Sequence, residues 1–378
     1  MGGQGLATSV YLHFPWCLRK CPYCDFASLA TEQDMVPHEA YANAVVRELG
    51  RHDTSGRTLA SMFVGGGTPS LWDARALGRT LAAIRAAFDA RDESLEVTVE
   101  CNPTSLDEEK VARLREAGVD RLSIGVQSLD AERLRFLGRL HNPAEALDAL
   151  RVAVATMPRV SADLMFGLPE QRAEDFEQDL DRVLSTGVRH ISAYGLTIES
   201  QTQFGALHRK GRLTLALEDD YAETFERTHD VLGGHGFEHY EVSNFAMTGE
   251  RSRHNEHYWR GGDYLGRGAG AVGALAARRY QNDPRPERYL ASPERSEVFE
   301  ETLDTQDRIR EALMLGLRTR DGVDVAALEA RVGENPLGGR EAAFARRVER
   351  GDVRAEGDRW IVPQERWLHL DGIVADLF

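Results

Sequence analysis

Six short β-rich runs alternate with longer amphipathic stretches through the first half of this chain, and that alternation limits the folds open to it. The runs are Val10–Phe14, Ser61–Val64, Leu95–Glu100, Arg121–Val126, Ser161–Met165 and His190–Gly195. Between them the pattern predicts helices over Glu39–His52, Ala74–Ala90, Asp107–Ala117, Pro143–Thr156 and Glu174–Thr186. The Asp107–Ala117 helix is the most clearly bounded. Ser105 and Glu108 have capping-box spacing before it, and Gly118 stands where a C′ glycine belongs. β/α units in series build a parallel sheet with helices outside, so the fold class is α/β, a partial (β/α)6 barrel.

Parallel barrels place their chemistry at the C-terminal ends of the strands. The chemically suspicious residues sort there. Three cysteines follow the first run, Gly65-Gly66-Gly67-Thr68 follows the second, and Glu100 ends the third. Gln127 follows the fourth, Asp163 lies within the fifth, and Gly195 ends the sixth.

A chain of 378 residues suits one barrel-sized domain and a smaller one. After about residue 200 the character changes. Phe237–Phe245 reads as one added strand, and the proline-bearing stretch Asn282–Pro293 as a linker. Helices are predicted at Asp307–Leu317, Val325–Val332, Arg340–Arg350 and Arg366–Leu377, with a short strand at Asp358–Pro363. The expected division is a barrel over 1–200, an extension over 201–292 and a small α-rich domain over 293–378, for which a winged-helix form stays open. The net charge of −15 disfavours a phosphate backbone as partner, so that last domain reads as packing or a lid. A basic segment leading into an apolar one is missing at the N-terminus, and the most apolar later stretch, Gly266–Ala277, is too short for a bilayer. The expectation is a soluble, cytoplasmic protein.

Cys17, Cys21 and Cys24 form a CxxxCxxC cluster within His13-Phe14-Pro15-Trp16-Cys17 and Cys21-Pro22-Tyr23-Cys24. A disulfide framework spreads its cysteines, whereas clustering points to a metal site in a reducing compartment. Three thiolates on one loop can hold three irons of a cubane and leave the fourth open to a small molecule. A structural zinc site would want a fourth protein ligand. Cys101 follows Glu100 by one residue and should point to the opposite face of its strand.

This motif directly after a first strand resembles the radical S-adenosylmethionine (SAM) signature. The wider string YLHFPWCLRKCPYCDF is similar to the oxygen-independent coproporphyrinogen III oxidase branch. The resemblance implies a radical SAM partial barrel and a [4Fe–4S] cluster whose open iron chelates SAM. It also implies an electron donor. By the same resemblance, Gly66, Gly67 and Thr68 contact the methionine amine through the backbone, and Glu100 binds the SAM amino group. Arg139, in Leu137-Gly138-Arg139-Leu140-His141-Asn142, matches the arginine for the carboxylate. Gln127 and Asp163 match ribose-binding positions, Tyr11 and Tyr23 the aromatic positions beside cluster and SAM, and Gly195 and Val272 backbone contacts to the adenosyl part. The chemistry of each pairing is sensible: carboxylate with ammonium, guanidinium with carboxylate, amide and acid with hydroxyls.

Oxidases of that branch carry a fourth cysteine two residues after the third, where this chain has Phe26. The loss is similar to the HemW-like haem chaperone branch, and His254-Asn255-Glu256-His257-Tyr258-Trp259 matches its HNxxYW motif. That resemblance implies binding of haem or a porphyrin and delivery to an unidentified acceptor protein, with contact to membrane-associated acceptors also open. An imidazole flanked by Tyr and Trp suits a haem site through His254, with His13 and His257 as further ligand candidates. The same motif could instead be packing. Radical chemistry on coproporphyrinogen III remains the alternative function. Gly268-Ala269-Gly270-Ala271-Val272-Gly273 matches GxGxxG, but the expectation is a close-packed loop and not a dinucleotide site, since no strong strand precedes it and no βαβ unit follows.

Overall fold

The computed structural model describes residues 6–378. Its six central strands are β1 (Leu6–Phe14), β2 (Arg57–Gly66), β3 (Ala90–Cys101), β4 (Arg121–Gln127), β5 (Arg159–Phe166) and β6 (His190–Gly195). They pair in parallel in chain order, with helices between successive strands. Val10, Leu12 and Phe14 of β1 are almost fully buried beneath the helices, while Tyr11 and His13, one residue out of phase, belong to the other face.

The helix over Pro143–Thr156 has the predicted bounds, with Asn142 and Glu145 closing a capping box. The Glu108–Glu116 helix is capped differently from expectation. Asp107 accepts the Lys110 N–H at 2.7 Å, and Ser105 belongs instead to a tight turn where its hydroxyl bonds the Asn102 carbonyl. Gly118 does take the left-handed conformation that ends this helix, at φ 88°. The Ala74–Ala86 helix stops short of its expected end because β3 begins at Ala90.

A two-strand hairpin on one edge and a run of four strands on the other extend the sheet to twelve strands. The run Phe237–Phe245 is not one strand but two, β7 (Glu238–Glu241) and β8 (Asn244–Ala246), with β8 antiparallel to β6. On the other edge β9 (Asp263–Arg267) pairs parallel to β1. The strands β10 (Val272–Leu275), β11 (Arg278–Asn282) and β12 (Glu297–Thr302) follow in antiparallel order.

The expected linker is therefore structured. Asn282 ends β11, and Pro286 opens a helix over Pro286–Ala291, a position where a missing N–H costs nothing. The cause is Glu48, a fully buried carboxylate on the first barrel helix. It accepts from Gly268 N–H at 2.9 Å, Asn282 Nδ2 at 2.9 Å, Arg51 Nη2 at 2.6 Å and Tyr289 Oη at 2.5 Å. A buried charge needs such partners, and three of them come from the extension. The glycine-rich loop is thus close-packed, as expected, though a strand does precede it. Its Gly268 amide serves Glu48, its Ala269 amide the Tyr41 hydroxyl and its Gly270 amide the Asp283 carbonyl, and an antiparallel strand follows in place of a βαβ unit.

Residues 303–378 form a second core around Leu313, Leu328, Trp360 and Trp367. Helices there surround a three-stranded antiparallel sheet of Val323–Asp324, Arg354–Glu356 and Arg359–Ile361, of which only the last was expected. The predicted final helix divides into a 3-10 segment, Gln364–His369, and an α-helix, Leu370–Asp376. This domain docks on the extension, where Gln364 Nε2 donates to the His239 carbonyl at 2.6 Å. No described helix is long and apolar enough to cross a membrane.

Candidate functional site

The cysteine loop is stapled at its neck. Trp16–Cys17 pairs with Leu29–Ala30, and Leu29 N–H and Thr31 N–H donate to the carbonyls of Pro15 (2.7 Å) and Cys17 (2.8 Å). Cys17 is buried, Cys21 and Cys24 are half-buried, and none is in a disulfide. All three border one cavity of about 580 Å³ at the mouth of the barrel. Among the described residues no three acidic, His or Cys side chains converge as on a single ion. A cubane makes no such demand, because its three thiolates bind three different irons.

The end of β2 locks onto this loop. Gly67 N–H donates to the Phe14 carbonyl at 2.7 Å and Thr68 N–H to the Trp16 carbonyl at 2.8 Å. A Cβ at Gly67 would lie 2.6 Å from the Trp16 oxygen, and one at Gly66 would enter the His13 ring. The space these two glycines leave is therefore taken by the protein itself, which lets β2 run against the cysteine loop. Gly66, Gly67 and Thr68 still border the cavity.

Polar groups cluster around the rim. Glu100 accepts the Gly66 N–H at 3.1 Å, and burial, followed by the nearby Asp163 carboxylate, pushes its pKa up to about 7. Asp163 accepts from the Ser123 hydroxyl (2.9 Å) and the Ser161 hydroxyl (3.2 Å), and burial raises it too. Gln127 sits at φ 66°, beside a register shift between β4 and β5. A left-handed non-glycine residue costs about 1–3 kcal/mol and is held only when its surroundings demand it. Arg139 donates to the Gly125 carbonyl at 2.8 Å and approaches Cys21 Sγ at 3.7 Å, while its buried Nε has no partner. Ser28 Oγ, on the cysteine loop, is likewise buried without a partner. Tyr11 and Tyr23 complete the wall, Tyr11 bonding His13 Nδ1 at 2.9 Å and Tyr23 packing on Phe204.

The radical SAM superfamily model matches residues 11–183, and the HemN C-terminal domain model matches residues 303–364. The heme chaperone HemW of Escherichia coli K12 is 40% identical over 71% of this chain and 70% of its own length. HemW of Mycobacterium tuberculosis H37Rv is 33% identical over 99% of this chain and 95% of its own. This chain belongs to the HemW family of radical SAM proteins. Coproporphyrinogen III oxidase (HemN) from Escherichia coli has the same fold, with a TM-score of 0.81 at 21% identity over 99% of this chain and 90% of that one.

The HemW-like motif lies at the opposite end of the barrel from the cysteines. β8 runs down to Ala246, opposite the first residue of β6, and β9 starts at Asp263, opposite Thr8 near the start of β1. The helix Arg253–Trp259 between them therefore crosses the barrel floor. His254 donates its backbone N–H to Glu96 Oε1 at 3.1 Å, shares a 2.8 Å hydrogen bond between Nδ1 and Ser61 Oγ, and stacks on Phe63. Burial lowers its pKa to about 3, so the ring is neutral, and with Asn255 and Tyr258 it borders the floor of the same cavity.

Four of the expected positions stand elsewhere. Gly195 is packed against Tyr221 and does not border the cavity. Val272 is 40% exposed on β10, beyond β9, because the strand that precedes its glycine-rich loop carries it past the barrel edge. His13 has both ring nitrogens engaged, by Tyr11 Oη and by the Ala27 carbonyl at 2.8 Å, so it has no nitrogen to offer a metal. His257 bonds the Asp263 carbonyl at 2.8 Å outside the cavity. Cys101 lies in the core and at the cavity wall, its thiol turned onto the Val99 carbonyl at 3.5 Å. Phe26 is 57% exposed at the cavity mouth.

Several lining residues escaped the sequence reading: Phe63, Arg121, Ser123, Met165, Ser192 and Tyr194. The signal was present. Arg121, Ser123, Gly125 and Gln127 recur at period two along β4, so finding Gln127 at the rim implies Arg121 on the same face below.

Proposed function

We propose that this chain is a cytoplasmic haem chaperone that carries SAM on a [4Fe–4S] cluster, takes up haem and passes it to an acceptor protein. The observation that carries the reading is Phe26. In this HemW-family chain an exposed aromatic ring stands at the cavity mouth, two residues after the third cysteine, where the oxidase branch has a thiol. A ring there offers apolar area to a flat macrocycle and no sulfur chemistry.

Cys17, Cys21 and Cys24 would hold the cluster. When bound, cluster and SAM together supply one-electron chemistry at the sulfonium. The chain's own part is orientation. Glu100 meets the ammonium, the unpartnered Nε edge of Arg139 meets the carboxylate, and Gln127 and Asp163 meet the ribose hydroxyls. Tyr11 and Tyr23 keep water from the thiol side. His254, with Nδ1 occupied by Ser61, has Nε2 left for haem or for shaping the floor. An electron donor and a membrane-associated haem acceptor are the partners such a protein would need.

The test gives cluster-loaded protein haem in one arm, and coproporphyrinogen III with SAM and a reductant in the other. Stoichiometric haem binding without protoporphyrinogen formation is expected. Multiple turnovers to protoporphyrinogen would assign the oxidase activity instead, and failure to bind haem would remove the cargo.

A further inference from the structure

The deepest part of the lumen holds a cation that none of these roles uses. Arg121 opens β4 at the barrel floor and is 2% exposed, yet it borders the cavity. Among the described residues no hydrogen bond or ion pair within 4 Å reaches its guanidinium, although its charge acts on the carboxylates of Glu96, Glu100 and Asp163. The nearby acids are already engaged. Glu96 receives Arg159 Nη1 at 2.5 Å and the backbone N–H groups of Arg253 and His254, each at 3.1 Å. Asp163 receives Ser123 and Ser161, and Glu100 receives Gly66.

A guanidinium has five N–H donors in a planar fork and accepts nothing. The fields of Glu96, Glu100 and Asp163 offset the charge, but the donors themselves face the cavity without an acceptor, and an anion that arrives with the ligand would fill them. The fork matches a carboxylate in both spacing and charge. That carboxylate is not the one assigned to Arg139. Six residue steps along β4 put the Cα atoms of Arg121 and Gln127 about 20 Å apart. Arg139 works at the upper end, bonded to the Gly125 carbonyl and beside Cys21. One cavity joins the two ends, from Lys20 and Phe26 at the mouth to Arg121 and His254 on the floor. Its lower wall is largely aromatic, with Phe63 and Tyr258.

We propose that Arg121 is a carboxylate subsite for the cargo, taking a porphyrin propionate that reaches down the lumen. This rests on the haem-cargo reading above. The inner floor then recognises the charged edge of the macrocycle, and the aromatic wall its apolar body.

The experiment titrates haem and haem dimethyl ester separately into cluster-loaded full-length protein without SAM, for the wild type, Arg121→Gln and Arg121→Lys. Haem affinity should fall about tenfold or more in the Gln variant, as truncating one side of a buried charge pair does. The diester should bind both proteins alike, the Lys variant should retain part of the preference for the diacid, and SAM affinity, measured by itself at pH 8, should fall less than haem affinity, the small loss being what Arg121 contributes to keeping Glu100 ionised. Unchanged haem affinity in the Gln variant would overturn the subsite. So would an equal loss for diacid and diester, or a loss confined to SAM, which would make Arg121 a counter-charge for Asp163 and Glu100. A wild type that binds no haem overturns the cargo reading first, and the wild-type titration alone tells these failures apart.

Discussion

With Glu100 meeting the SAM ammonium, as proposed above, SAM binding should be sensitive to pH within the physiological range, and the size of the effect follows from the surroundings of Glu100. Burial and the Asp163 carboxylate raise its pKa to about 7, against the downward pull of the Gly66 N–H and the Arg121 charge. Only the ionised form attracts an ammonium. The ionised fraction is about a tenth at pH 6 and about nine tenths at pH 8, so the affinity due to Glu100 should rise about tenfold, about 1.4 kcal/mol, over that interval. The sign is fixed: a carboxyl with a raised pKa loses its charge on the acid side, so binding weakens as pH falls. Other groups titrate in the same range, the ligand's amine among them, so the measurement is a ratio. SAM affinity of cluster-loaded wild type is divided by that of Glu100→Gln at each pH. Burial lowers His254 to about 3, so it stays neutral across the interval, and burial lowers His13 as well. A ratio that stays flat from pH 6 to pH 8, or that falls, would refute the role of Glu100.

Three further outcomes are expected. Anaerobic reconstitution should load about four irons per chain, and Ala at Cys17, Cys21 or Cys24 should abolish this while Cys101→Ala should not; full iron in Cys21→Ala would sink the assignment. Arg139→Ala should weaken SAM binding by about 2–5 kcal/mol, and Asp163→Ala should weaken it too, by calorimetry on loaded protein; unchanged affinity in both would misplace the cofactor rim. Gly67→Ala should destabilise the fold by about 1–3 kcal/mol and impair iron loading, because the new Cβ meets the Trp16 and Phe14 carbonyls where two hydrogen bonds hold the loop. Gly50→Ala, with nothing within 4 Å of its Cβ, is the control for denaturant midpoint and iron content.

Much of the mouth of this protein was legible in the sequence because its signals are local. CxxxCxxC places three thiols on one loop whatever the rest of the chain does. Strand-end sorting brought Glu100, Gln127 and Asp163 to one cavity because a parallel barrel gathers all its C-terminal strand ends at one mouth. The helix Pro143–Thr156 took its expected bounds, and at its start the structure shows a purely local cap, Asn142 with Glu145. The floor was not legible. Whether the His254 motif faces the cysteines or lies at the far end depends on β8 running down one edge beside β6 and β9 starting again beside β1, and the second of these joins residues more than two hundred positions apart. The same holds for the prolines after Asn282, read as a linker until Glu48, far back in the chain, drew Asn282 and Tyr289 into the core. Spacing along the chain determined which chemistry this protein carries. Only the tertiary structure decided that Val272 lies outside the cavity and that Arg121 lies within it among the carboxylates of Glu96, Glu100 and Asp163, because burial and pairing are set by strand register and not by neighbours in sequence.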